Sequence, residues 1–333
     1  MTAGTDDSRL DAFIQALPKC EVHLHLEGAV PLHLARAWSD ESIPDTPEWW
    51  DSEHRYESFS EFIHVLNLTW RGHLNTLGRL EETASEIWSG LVEQNVRYVE
   101  MSFGVGAYTF PVVETVAALK SAVPDGLTVR IIAGLSRDRD TPNILKVGEE
   151  AIWADNVDGI DLHGNEREGD PRDFLGLYQE ARSREMITKA HAGEFGGAAS
   201  VVEMLDLLCV DRIQHGVGAA KDRALVQRFL DEGVTLDVCP WSNVKLGVTD
   251  KLAGHPLPAL HRAGVRVTVS TDDPTLFGQT LSDEYRWLYS EMGMSFEEIG
   301  QIAANPFLNA RMDQAERNAC LTEIATVVES YEG

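Results

Sequence analysis

Eight short apolar runs rich in β-branched residues recur along the chain, at 20–26, 97–103, 128–135, 157–163, 187–192, 212–217, 235–239 and 266–270. Longer stretches of helical periodicity separate them. Near-continuous apolar strands alternating with helices predict parallel pairing with both sheet faces buried. Eight such units predict an α/β fold of the (β/α)8 TIM barrel type, with a doubly wound open sheet as the alternative. The first connection, 27–96, is long and carries helical stretches at 59–68 and 80–94. Insertions of this kind often act as lids over a barrel mouth. After the eighth run, 283–292, 296–304 and 313–331 read as closing helices at the C-terminus. No Pro/Gly/Ser linker divides the sequence, so residues 1–333 read as a single domain.

Charge narrows the partners. The chain carries 54 acidic and 28 basic residues, a net charge of -26. Such a surface repels phosphate backbones and anionic lipid, so neither nucleic acid nor a membrane surface is an expected partner. No apolar run approaches the ~20 residues of a membrane span. The acidic N-terminal stretch has no signal-peptide core. Cys20, Cys209, Cys239 and Cys320 are scattered without a CxxC pair, which suits a reducing compartment. The expectation is a soluble cytoplasmic protein acting on a small molecule.

The candidate chemistry lies where the runs end. The first closes on His23-Leu24-His25-Leu26-Glu27-Gly28, the fifth on His191-Ala192-Gly193-Glu194, the sixth on Gln214-His215-Gly216, and the eighth on Ser270-Thr271-Asp272-Asp273-Pro274. In a barrel all C-terminal strand ends meet at one face, so these residues converge there. His23 and His25 are two apart on a strand and point to the same side. Two imidazoles with His191 and a carboxylate form an N3O donor set that suits a catalytic Zn²⁺.

At these residues the sequence resembles the adenosine/adenine deaminases of the metal-dependent amidohydrolase superfamily. LPKCEVHLHLEGAV, DGIDLHGNE, HAGE, RIQHGV, DVCPWSNVKLGV and STDDPTLFG follow the order of that family's signatures. The resemblance implies one Zn²⁺ per chain, held by His23, His25, His191 and Asp272. It makes Glu194 the acid that protonates purine N1. His215 would orient the attacking hydroxide, and Asp272 would also accept a proton from the attacking water. Asp273 would hydrogen-bond N7 and the Gly164 backbone would contact N3. Phe59, Phe62 and Leu66 lie at helical spacing, which reads first as core packing; the family's equivalent helix closes over the purine, which makes them candidate pocket residues.

These roles agree with the chemistry. C6 of an aminopurine is a poor electrophile until N1 is protonated, and Zn²⁺ lowers the pKa of a bound water toward ~7. The fourth run ends Leu162-His163-Gly164, without the lysine that bridges two metals in binuclear relatives, so one ion is expected. A catalytically dead barrel serving as a binding module would have lost a ligand or the acid, yet all six residues are present.

Substrate signals diverge. Glu27 stands where adenosine deaminases usually carry the Asp that meets the ribose 5′-hydroxyl. Glu27 and SNVKL (242–246) resemble the adenine deaminase branch, whereas Met101-Ser102-Phe103-Gly104-Val105 matches neither branch. His163 and the 104–106 stretch suggest a roomier mouth. The expected substrate is therefore an adenosine-type nucleoside, deaminated to inosine and ammonia. Adenine and aminodeoxyfutalosine are the alternatives.

Overall fold

The computed structural model describes residues 3–39, 41–138 and 140–332. All eight expected strands form: β1 Lys19–His25, β2 Val96–Gly104, β3 Thr128–Ser136, β4 Gly159–His163, β5 Ile187–Ala192, β6 Arg212–His215, β7 Thr235–Val238 and β8 Arg266–Val269. Each pairs in parallel with the next, in chain order, as a (β/α)8 barrel requires. Closure between β8 and β1 falls at the site itself. The His25 amide donates to the Asp272 carbonyl at 3.0 Å, and the Asp272 amide to the His23 carbonyl at 2.9 Å. Two candidate metal-binding segments are thereby locked together by backbone.

The strand ends differ from expectation by one or two residues. The run at 212–217 stops at His215 because Gly216 turns left-handed, with φ +74°, and leads into a 3-10 turn. The long first connection contains the helices Leu32–Trp38, Phe59–Trp70 and Leu77–Glu93. Phe59–Trp70 starts where it does because Ser58 caps it, its side chain accepting from the Glu61 amide. The closing helices are Leu281–Ser290, Phe296–Ala304 and Gln314–Glu332. Two of them begin with capping boxes, Thr280 with Asp283 and Ser295 with Glu298.

The strands are less apolar inside than the runs suggested. Below the site, the barrel interior holds a closed ion cluster. Both Glu100 carboxylate oxygens accept from Arg212 Nη1 at 2.8 Å, Lys189 Nζ lies 3.1 Å from Glu100, and Arg212 Nε donates to Asp237 at 2.9 Å. All four side chains are buried. Burial opposes the ionised form of Glu100, but Arg212 and Lys189 outweigh it and hold its pKa down to about 2. A depressed carboxyl pKa stabilises the fold above the ordinary carboxylate range, and that contribution is lost as pH falls toward 2. Glu100→Gln leaves two buried cations short of a counter-charge, and a loss of about 3–5 kcal/mol in denaturant-melt stability is expected. A loss below about 1 kcal/mol would show that the cluster is not a stabilising unit.

Candidate metal and proton-transfer site

Four donors meet at the C-terminal end of the barrel. His23 Nε2 lies 3.1 Å and His25 Nε2 3.2 Å from His191 Nε2. Both His23 Nε2 and His25 Nε2 lie 3.3 Å from Asp272 Oδ1. An ion about 2.0–2.1 Å from each donor of a tetrahedral set implies donor separations of roughly 3.3 Å. The spacing and the N3O chemistry therefore fit a divalent ion such as Zn²⁺. The groups behind the donors fix their orientation. His23 Nδ1 lies 3.0 Å from the Asp237 carbonyl, His191 Nδ1 3.2 Å from Asp161, and Ser242 Oγ donates to Asp272 Oδ2 at 2.7 Å. Such partners present the free nitrogen or oxygen to the metal. Asp272 and His215 each hold a left-handed backbone, φ +65°. Non-glycine residues do so at a cost that marks functional positions.

Two candidate acid–base groups, Glu194 and His215, stand beside this cluster. His215 Nε2 is 3.6 Å from Glu194 Oε2 and 3.8 Å from Asp272 Oδ2. Burial, reinforced by the charges of Asp272, Glu166 and Asp273, raises the Glu194 carboxyl well above its usual range. Burial and then the Asp272 charge do the same to Asp273. Burial opposes the ionised form of Asp272 too, but His23, His25 and His215 prevail and hold it well below the carboxylate range. Burial keeps His215 neutral. The environment thus pulls neighbouring carboxyls apart, Asp272 toward the ionised form and Glu194 and Asp273 toward the protonated form.

Three supporting residues were not singled out from the sequence. Glu166, inside the DGIDLHGNE stretch, accepts from the amides of Gly193, Glu194, Phe195 and Gly196 at 2.8–3.1 Å and from Ser200 Oγ at 2.6 Å. One carboxylate therefore shapes the whole turn that aims Glu194. Asn243, inside SNVKL, lies 3.2 Å from His215 Nδ1 and 3.4 Å from Glu194 Oε1. His255 is buried behind Asn243 at 3.2 Å. Glu166→Gln cannot accept at every donor of the turn, and kcat is expected to fall about 10- to 100-fold with metal content unchanged, the scale for partners one step removed from a site. Unaltered kcat in that variant would show that the turn holds its shape without Glu166.

A cavity of about 340 Å³ opens onto these groups. Glu27, Gly164, Asp273, Phe59, Phe62 and Leu66 all line it, as does His163. Gly164 has φ +94°, and a Cβ there would lie 2.7 Å from Asp138 Oδ1; at Gly28 a Cβ would lie 1.7 Å from Asp273 Oδ1. Glycine is required at both positions. Glu27 is drawn toward β2, its Oε1 accepting from the Gly104 amide at 2.9 Å and from Tyr108 Oη at 2.8 Å. The cavity also continues past Glu194 and Asp273 to Ser136, at the end of β3, and to Asp138, Asp140 and Asn143 beyond it. The roof helix Phe59–Trp70 stacks Phe62 on Phe277 at 5.9 Å. Its approach segment is fastened by buried Lys245, which donates to the carbonyls of Trp49 at 3.0 Å and Asp51 at 2.5 Å. Trp50 Nε1 donates to the Thr275 carbonyl at 2.7 Å, and Tyr56 Oη to that of Leu276 at 3.0 Å.

A closed parallel barrel with this His–His–His–Asp cluster and adjoining carboxyl acid defines a metal-dependent hydrolase of the amidohydrolase type. The sequence profile of the adenosine deaminase family matches residues 18–327, and the chain belongs to that family. It is accordingly a hydrolase acting on carbon–nitrogen bonds of cyclic amidines. It is 33% identical to an adenine deaminase of Chlorobium luteolum, over 96% of this chain and 97% of the relative. The solved adenine deaminase from Arthrobacter aurescens superposes with TM-score 0.85 at 29% identity, over 94% of this chain and 99% of the other. An amidohydrolase from Burkhoderia ambifaria with bound Zn superposes with TM-score 0.86 at 26% identity, over 100% of this chain and 96% of the other. Among the described residues, no helix is long and apolar enough to cross a membrane.

Proposed function

We propose that this chain hydrolyses the 6-amino group from a 6-aminopurine, using one Zn²⁺ held by His23, His25, His191 and Asp272. The carrying observation is geometric: the four donors converge at the C-terminal ends of β1, β5 and β8, and three of them, His25, His191 and Asp272, line one cavity with Glu194. When bound, the ion supplies Lewis acidity and lowers the pKa of a water toward ~7. The remaining work falls to side chains. Glu194 delivers its proton to N1 and so makes C6 electrophilic. Asp273 donates to N7 and the Gly164 amide to N3, which holds the ring edge-on to the cluster. His215 orients the attacking oxygen, and ionised Asp272 accepts its proton and passes it to the 6-amino nitrogen. The C6–N bond then breaks to release ammonia, the proton from Glu194 stays on N1, and the remaining proton on O6 returns to Glu194. Phe59, Phe62 and Leu66 cover the purine and exclude bulk water.

Adenine is the substrate we favour. The adenosine-type reading of the sequence has less support, because the relatives matched over nearly the whole chain bear the name adenine deaminase. A second reading rests on the cavity. Its volume falls within the range that encloses drug-sized ligands, and its extension to Ser136 and Asn143 suits a purine substituted at N9, adenosine or aminodeoxyfutalosine. The test compares kcat/KM for adenine, adenosine, 2′-deoxyadenosine and aminodeoxyfutalosine under identical conditions, followed by ammonia release and loss of 6-aminopurine absorbance. Adenine should lead by orders of magnitude, as expected where a site rejects a substrate it cannot pair with. A lead for an N9-substituted substrate selects the second reading, and no turnover of any of the four overturns the proposal.

A further inference from the structure

One side of the site carries a hydrogen-bond chain whose direction follows from its first donor. The Leu257 backbone amide, which can only donate, lies 3.2 Å from His255 Nδ1. That nitrogen therefore accepts. Burial keeps the His255 imidazole neutral, its pKa down to about 3, so its proton sits on Nε2. His255 Nε2 faces Asn243 Oδ1 at 3.2 Å and donates to it. The Asn243 amide is thereby oriented with Nδ2 toward the reaction centre, 3.2 Å from His215 Nδ1 and 3.4 Å from Glu194 Oε1. Nδ2 has two protons and no lone pair to offer, so His215 Nδ1 and Glu194 Oε1 both accept.

We infer that Asn243 and His255 are positioning residues that impose a single tautomer on His215 and a single orientation on the Glu194 carboxyl. With Nδ1 accepting, His215 carries its proton on Nε2, the nitrogen that faces Glu194 Oε2 and Asp272 Oδ2. It is thus a donor toward the attacking oxygen. With Oε1 accepting from Asn243, a proton on the Glu194 carboxyl sits on Oε2, the oxygen on the His215 side. The bond made by one ring nitrogen decides the state of the other, and a residue that sets a catalytic imidazole's tautomer acts without touching substrate. Asn243 and Ser242 occupy the same short helix, Pro240–Lys245. That helix thus orients a metal-binding carboxylate and both proton-handling groups.

This inference rests on the proposed aminohydrolase reading, and its test separates the two. In zinc-loaded protein labelled with 15N-histidine, with the His215 resonances assigned by loss in His215→Asn, NMR should show Nδ1 unprotonated and Nε2 protonated. Asn243→Asp replaces the donor by an acceptor and should reverse that pattern. His255→Leu should blur it, lowering kcat about 10- to 100-fold with KM and zinc content little changed. His255→Gln retains one acceptor for the Leu257 amide and one donor for Asn243, and should restore most of kcat and the original tautomer. A protonated Nδ1 in the unmodified protein overturns the inference, as does wild-type kcat with an unchanged tautomer in His255→Leu. If His255→Leu fails to fold, Asn243→Asp and the unmodified protein still decide the matter. Failure of all four purines as substrates would sink the functional reading while leaving the tautomer measurement to stand or fall by itself.

Discussion

Glu194→Gln should lower kcat by at least ~100-fold, the usual scale for losing a general acid, while metal content and substrate affinity persist. Glutamine preserves the shape and can still hydrogen-bond, but it has no proton to deliver to N1. The sign of the pH dependence follows from the environment. Burial, with the charges of Asp272, Glu166 and Asp273, raises the carboxyl pKa well above its ordinary range. The protonated, competent form therefore prevails below that raised pKa, and activity is lost as pH rises through it. The corresponding alkaline limb of the pH–rate profile should vanish in the variant. Steady-state kinetics across pH, with elemental analysis, check both points, and a variant that keeps near-normal kcat would remove Glu194 from the mechanism.

His23→Ala or His191→Ala should release the metal and abolish measurable activity, with the barrel still folded by circular dichroism. Each histidine is one of four donors spaced for a single ion, and an ion short of a ligand is held too weakly and in the wrong geometry. Fold should survive because β1 and β5 keep their pairings and because the Glu100–Arg212 cluster lies elsewhere. The unaltered protein should carry one ion per chain. β4 ends on Leu162-His163 without lysine, and Lys189 on β5 is committed to Glu100 and to the Val22 carbonyl. Two ions per active chain by elemental analysis would overturn the single-metal site.

Much of the architecture was legible because its determinants are local. A parallel strand buried on both faces reads as an apolar run, and a run needs only its own residues to be recognised. The closing helix Phe296–Ala304 was predicted with both of its observed ends. The metal donors were legible for a related reason. A strand end is rigid, and the barrel sends all such ends to one face, so His23, His25, His191 and Asp272 could be placed together although 249 positions separate the outermost pair.

What the sequence by itself determined, then, is the barrel and the convergence of His23, His25, His191, Asp272 and Glu194 at one of its ends. The tertiary structure decided how each is aimed. Glu166 reads as one more acidic loop residue until four amides of a distant turn converge on it. His255 reads as a loop histidine until a backbone amide on one side and Asn243 on the other give it a direction. Glu100, Lys189, Arg212 and Asp237 interrupt apolar runs for no visible reason until they close on one another. Glu27 reads only as a replacement for the usual Asp, yet its reach is set by Gly104 and Tyr108. The physical reason is common to all of these. A hydrogen bond or ion pair is directional and acts over about 3 Å, so its meaning depends on where a second residue lies in space, and strand or helix periodicity carries no information about that.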